Sequence, residues 1–154
     1  MSIVKVVKSV GNFLRSPFLL IIRLYWGYQF AITGFGKFMA LGSIAAYFQS
    51  LGIPFPYFNA TLTATVELLC GALLFLGLYT RIAVIPLFGV MFVAYLTAGR
   101  AALIALTTRF DPDLFFKDTA FLFLYAVTII FCFGPGKFSL DYFLTDAHKN
   151  QEMP

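Results

Sequence analysis

Four stretches of this chain, residues 17–36, 60–79, 82–99 and 114–133, stay apolar for about the ~20 residues that a helix needs to cross a bilayer. Their apolar runs lack the strict alternation of barrel strands, and only helices or closed barrels satisfy their own backbone groups in hydrocarbon. The pattern predicts an all-α integral membrane protein, a bundle of four transmembrane helices forming a single domain over residues 1–154. Two shorter segments carry a different pattern. Ile3, Val7, Val10 and Leu14 recur at helical spacing with Lys5, Lys8 and Arg15 among them. Phe38, Leu41, Ala45 and Phe48 do the same before the Gly and Pro residues of Gly52 to Pro56 stop any helix. Both segments read as amphipathic helices lying at an interface. The first reads equally as a basic flank that only sets topology. Tyr47, Phe48, Phe55, Tyr57 and Phe58 suit a belt at headgroup level.

Composition strengthens this reading. The chain is 60% hydrophobic and 12% charged, more apolar surface than a soluble domain of this size hides in one core, so lipid must cover part of it. Its net charge of +4 is spread over single basic residues, which fits anionic headgroups and excludes a nucleic-acid surface. Six basic residues (Lys5, Lys8, Arg15, Arg81, Lys137, Lys149) fall in the two tails and the middle turn, against four (Lys37, Arg100, Arg109, Lys117) in the other connections. The bias places both termini in the cytoplasm. The first apolar segment is long and interrupted by Arg23, unlike a cleaved signal peptide, and is expected to remain as the first span. The short turn from Leu78 to Arg81 makes the second and third spans antiparallel neighbours.

Three spans contain a charge: Arg23, Glu67 and Asp118. A charge near the bilayer centre costs about 2.5–3.5 kcal/mol on insertion scales, so each needs a partner, water or a ligand. Arg23, Gly27, Phe30, Gly34 and Lys37 form one stripe of the first span, and Ala60, Ala64, Glu67, Gly71, Leu74, Leu78 and Arg81 form one of the second. Small residues in such stripes let helices approach closely. Arg23 lies near the inner boundary and Glu67 near the outer one, and their side chains lean apart, so direct pairing is not expected. Arg23 reads either as a snorkelling side chain or as a site residue. Glu67 is too short to reach headgroups. With Lys37, Asp118, Lys117 and Arg100 at similar levels, it centres an outward polar cluster that is either a register-fixing ion-pair network or a ligand or proton site. Gly71 shares its stripe, where another group can approach. Asp118 in a helix's first turn is also favourable on dipole grounds alone.

The remaining reactive side chains point to less. Cys70 and Cys132 fall at different depths and form no Cys-x-x-Cys pair, so they are expected to be unjoined apolar fillers. His148 is alone in a polar tail, so no metal site is expected. No catalytic residue can be named from the sequence.

Several segments together resemble the DoxX family of small four-helix membrane proteins. They are the Arg23, Gly27, Phe30, Gly34, Lys37 stripe; Tyr47-Phe48 to Leu51-Gly52-Ile53-Pro54; Glu67 followed by Gly77-Leu78-Tyr79-Thr80-Arg81; and the closing Gly134-Pro135-Gly136-Lys137-Phe138-Ser139-Leu140-Asp141. Cys70-Gly71 stands where two glycines are expected, and Gly99-Arg100 where many members place a His. The resemblance implies a bacterial inner-membrane protein linked to redox work. DoxX-like proteins are associated with a membrane oxidoreductase complex that has soluble redox partners, and the related DoxD type with a thiosulfate:quinone oxidoreductase. On that basis Glu67 and Arg23 would belong to an intramembrane site for a quinone or another lipidic small molecule. Whether the chain is itself an enzyme stays open. The alternative is a non-catalytic anchor or lipid-binding module that recruits soluble partners. Homo-oligomerisation is left open as well.

Overall fold

The computed structural model describes residues 3–100, 104, 119–136, 138–142 and 144. Its main elements are α1 (Ile3–Met39), α2 (Leu41–Ser50), α3 (Pro56–Leu76), α4 (Thr80–Thr97) and α5 (Thr119–Phe133). Among the described residues α1, α3 and α4 are long and apolar enough to cross a membrane, and α5 is a shorter apolar helix. Residues 114–118, which the apolar pattern places in the last span, lie outside the described residues.

The basic N-terminal segment and the first span form one helix of 37 residues, about 55 Å long at ~1.5 Å per residue, so part of α1 must lie outside a ~30 Å hydrocarbon core. Pro17 sits within this helix. It removes one backbone donor without ending the helix, and no second breaker stands near it. Beyond Met39 the chain restarts at once as α2, the short amphipathic segment expected after the first span.

The connections are built from local chemistry. Gly77 ends α3 in the left-handed region (φ 72°), with its N–H donated to Leu74 O and that of Leu78 to Leu73 O. These are the two bonds of a Schellman ending, for which glycine is the least strained residue. Three residues after Gly77, α4 begins at Thr80. The resulting antiparallel pair is the one expected from the short turn.

α3 is the hub of the bundle, packing on α1, α2 and α4; α5 joins α4 to α1 and closes the ring. The core between these helices holds Phe30, Leu74, Val84, Leu87, Met91, Phe123, Val127 and Ile130. Phe123 meets Phe30 and Trp26 edge to face at centroid distances of 4.6 and 4.9 Å, a favoured aromatic geometry.

The tightest contact is α1 on α3, where the two small-residue stripes meet. Gly27, Gly34 and Gly71 are all buried. A Cβ on Gly27 would lie 2.5 Å from Phe75 N, one on Gly71 2.5 Å from Ala31 N, and one on Gly34 closer than contact distance to the backbone of α3. These glycines let the two backbones touch, as small residues do between membrane helices. Gly34→Val should therefore push α1 off α3 and lower stability by about 1–3 kcal/mol. Gly36→Val, at a position with no atom within 4 Å of its Cβ, should unfold close to wild type when both are compared by thermal unfolding in detergent.

Candidate functional site

Polar side chains gather at both ends of the α1–α3 pair, and the two gatherings differ in kind.

At the first end Arg23 is 3% exposed. Its Nη1 donates to Pro135 O at 2.9 Å and its Nη2 to Phe138 O at 2.7 Å. The guanidinium lies flat against Gly77, where a Cβ would come 2.7 Å from Cζ. The segment after α5 thus folds back over the α3–α4 turn. Asp141 locks it there, accepting from Tyr79 N at 2.6 Å and Thr80 N at 2.9 Å and donating its own N–H to Gly77 O. A carboxylate on the first free N–H groups of α4 also complements that helix's dipole. Arg15 donates to Phe133 O and lies over the Phe133 ring, and the Arg81 guanidinium lies beside Gly134. Cations thus meet the carboxyl end of α5 from two helices, where unpaired carbonyls favour positive charge. Arg23 is thus tied to this segment through both terminal nitrogens, while its Nε is buried without a hydrogen-bond partner.

At the opposite end Lys37, in the last turn of α1, forms a hydrogen-bonded ion pair with Glu67 Oε1. The two residues are unequally exposed: Lys37 keeps 26% of its side chain accessible and Glu67 none. Glu67 Oε2 is buried without a hydrogen-bond partner of good geometry, the nearby Thr33 hydroxyl being donated to Gln29 O and Phe30 O, and a buried acceptor left unmatched is costly enough to ask what meets it. Both residues line a cavity of about 450 Å³ whose walls also include Tyr47 and Phe48 of α2, Thr63 of α3, and Val90, Val93 and Ala94 of α4. Its size and character, mostly apolar with a few convergent polar groups, match those of small-molecule sites. Asn59, another wall residue, is held by its bond to Pro54 O.

The residues singled out from the sequence are therefore divided. Lys37 and Glu67 meet at the cavity. Arg23 stands at the other end, fourteen residues from Lys37 along α1, about 21 Å by helix rise. Gly71 faces α1 rather than the cavity; the group that approaches it is the backbone of Ala31 and the Phe30 Cβ. Asp118 and Lys117 lie outside the described residues, and Arg100 is exposed three residues beyond the end of α4. Cys70 and Cys132 are both free thiols, but only Cys70 is partly buried; Cys132 is exposed and so is not the small buried residue expected. Among the described residues no group of three His, Cys, Asp or Glu side chains gathers for a metal. Asp141 was visible only as part of the closing motif. Its role depends on contacts some sixty residues away, which no local pattern encodes.

A helical bundle whose described residues include three helices long and apolar enough to cross a membrane is that of an integral membrane protein, and an ion pair lines one of its cavities. The chain belongs to the DoxX family, whose profile matches residues 18–100. It is 32% identical over 130 residues to the uncharacterized membrane protein Rv3486 of Mycobacterium tuberculosis (strain ATCC 25618 / H37Rv), covering 81% of this chain and 80% of that one. It is 34% identical over 138 residues to the inner membrane protein YphA of Escherichia coli (strain K12), covering 82% and 90%. A shorter match, 38% identical over 63 residues, covers 41% of this chain and 46% of a Bacillus subtilis (strain 168) protein named "Putative oxidoreductase CatD". No solved structure matches the chain.

Proposed function

We propose that this chain is a membrane-embedded subunit of a redox-linked assembly, and that its Lys37–Glu67 cavity takes the head group of a quinone or a similar lipidic molecule. The observation that carries the reading is the buried, unpartnered Glu67 Oε2 on the wall of an aromatic-sided cavity. The name of the Bacillus subtilis relative points the same way.

The residues suit such a head group. Lys37 Nζ, already turned toward the cavity by Glu67 Oε1, can donate to a carbonyl oxygen. Glu67 Oε2 can accept from a hydroxyl, which would supply its missing partner. Tyr47 and Phe48 offer ring faces and edges to a flat ring. A bound quinone would supply two-electron, two-proton carrier chemistry; Glu67 would hold or release one of the two protons, the other exchanging with water at the cavity opening, and Lys37 would offset the charge that remains. The electrons would enter from a soluble redox partner.

Topology completes the proposal: four transmembrane helices in the bacterial inner membrane, both termini in the cytoplasm, and the Lys37–Glu67 end toward the periplasm. Alkaline phosphatase fused after Pro154 should then be inactive, and strong activity there would invert the arrangement.

Ligand binding is tested by titrating the purified protein in nanodiscs with a short-chain benzoquinone. Saturable binding is expected, weakened about tenfold or more by Glu67→Gln, the scale of losing one hydrogen bond to a charged group. No saturable binding to wild type would leave the chain as an anchor that recruits partners without a redox ligand of its own.

A further inference from the structure

A glycine inside a helix costs stability and needs a reason. Gly27, Gly34 and Gly71 have one, since a neighbouring backbone occupies the space of their missing side chains. Gly52, Gly77, Gly134 and Gly136 have another, a positive φ. Gly89 has neither. It lies inside α4 with helical backbone, and no described atom outside its own helix comes within 4 Å of where its Cβ would be. Gly11, Gly36 and Gly42 share that open space, but Gly89 alone among these four lines the cavity.

Its depth gives the missing side chain a meaning. α3 and α4 are antiparallel around a turn centred on Leu78, and Glu67 and Gly89 are each eleven residues from that centre. Helix rise puts both at about 16 Å from the turn. The Cα atoms of Gly89 and Glu67 therefore stand at about the same level, with Gly89 exposed on the α4 wall. Farther from the turn the α4 wall carries Val90, Val93 and Ala94. A flat ring that reaches Glu67 Oε2 must lie against α4 where α4 has no side chain.

We propose that Gly89 is a specificity-determining residue that sets how wide a ring can reach Glu67, and that its bare backbone admits a fused two-ring head group of the naphthoquinone class. The inference rests on the reading of the cavity as a quinone site and adds a size rule to it. A side chain at 89 narrows the ring-bearing level of the cavity and leaves the Lys37–Glu67 pair intact. A Cβ there meets no described atom outside the helix within 4 Å, and alanine or leucine in place of glycine favours the helix.

The experiment compares wild type, Gly89→Ala, Gly89→Leu and the control Gly11→Ala, which lies off the cavity. Each is titrated in nanodiscs with a water-soluble naphthoquinone and a water-soluble benzoquinone, and each is melted in detergent. Wild type should bind both. Gly89→Leu should lose tenfold or more in affinity for the naphthoquinone and markedly less for the benzoquinone, with Gly89→Ala intermediate. Both Gly89 variants should melt at or above the wild-type temperature, so weaker binding cannot be put down to misfolding. Gly11→Ala should bind as wild type does. If wild type binds neither quinone, the quinone reading itself fails and the size rule falls with it. If wild type binds both and Gly89→Leu binds both equally well, the quinone reading stands and the role of Gly89 is overturned. Wild-type binding confined to the benzoquinone overturns it too.

Discussion

Arg23→Met should accumulate poorly and melt well below wild type, with the largest loss of stability of any single substitution in the first helix. The side chain is 3% exposed and donates to two carbonyls of the segment after α5. Bonds that involve a charged group contribute about 1.5–3 kcal/mol each. Methionine fills a similar volume but leaves Pro135 O and Phe138 O without their donor. Arg23→Lys should rescue little, because a single ammonium cannot reproduce the fork that reaches both carbonyls. Asp141→Ala attacks the same segment from its other anchor, freeing Tyr79 N and Thr80 N, and should cost about 1–2 kcal/mol as a lost helix cap. Because Arg23 and Asp141 hold one segment, the double variant should lose less than the sum of the two singles. Thermal unfolding of all three in one detergent checks this, and full additivity would mean that the fold-back segment is not a unit.

Lys37→Met should be worse for stability than Glu67→Gln, although both break the same ion pair. The reason is the difference in exposure. Glu67 is fully buried, so removing Lys37 leaves an unpaired buried carboxylate, a change that costs about 3–5 kcal/mol in soluble proteins. Lys37 is 26% exposed and sits in the last turn of α1. When Glu67 becomes neutral, the ammonium can turn toward water and still faces the carboxyl end of its own helix, where positive charge is favoured. Glu67→Gln also keeps the shape of the site. The expected result is near-wild-type accumulation for Glu67→Gln and sharply reduced accumulation for Lys37→Met, measured by fluorescence-detected gel filtration and melting. Equal losses would mean that the pair acts chiefly as a register lock.

Much of this arrangement was legible in the sequence where the signal is local. The stripe from Arg23 to Lys37 and the one from Ala60 to Leu74 follow from helical periodicity, and Gly27, Gly34 and Gly71 do lie between helices; Leu78 and Arg81, expected on the second stripe, fall beyond it because Gly77 ends α3 and Arg81 belongs to α4. Helix rise alone separated Arg23 from Glu67 and placed Lys37 level with it. Contacts between distant segments were harder to read. The fold-back of residues 134–142 depends on bonds between Arg23 and carbonyls more than a hundred residues away, and a carbonyl carries no sequence signature. The cavity is a space between helices, set by where α2 lies against α3, so neither its volume nor the bare face of Gly89 shows in any one helix. The run from Ile3 through the first span was expected as two segments, because its amphipathic, basic start differs in pattern from the apolar span that follows. A single proline removes only one backbone bond, and the helix continues through it.

The most direct measurement of the cavity's role is photolabelling with an azido-quinone in nanodiscs, with labelled peptides mapped by mass spectrometry. Label is expected on the cavity wall, at Tyr47 or Phe48 of α2 and at Val90, Val93 or Ala94 of α4, reduced by excess unlabelled quinone and by Glu67→Gln. Label spread over outward-facing residues such as Phe75, Ile82 and Ile85, unchanged by competitor and by Glu67→Gln, would contradict it.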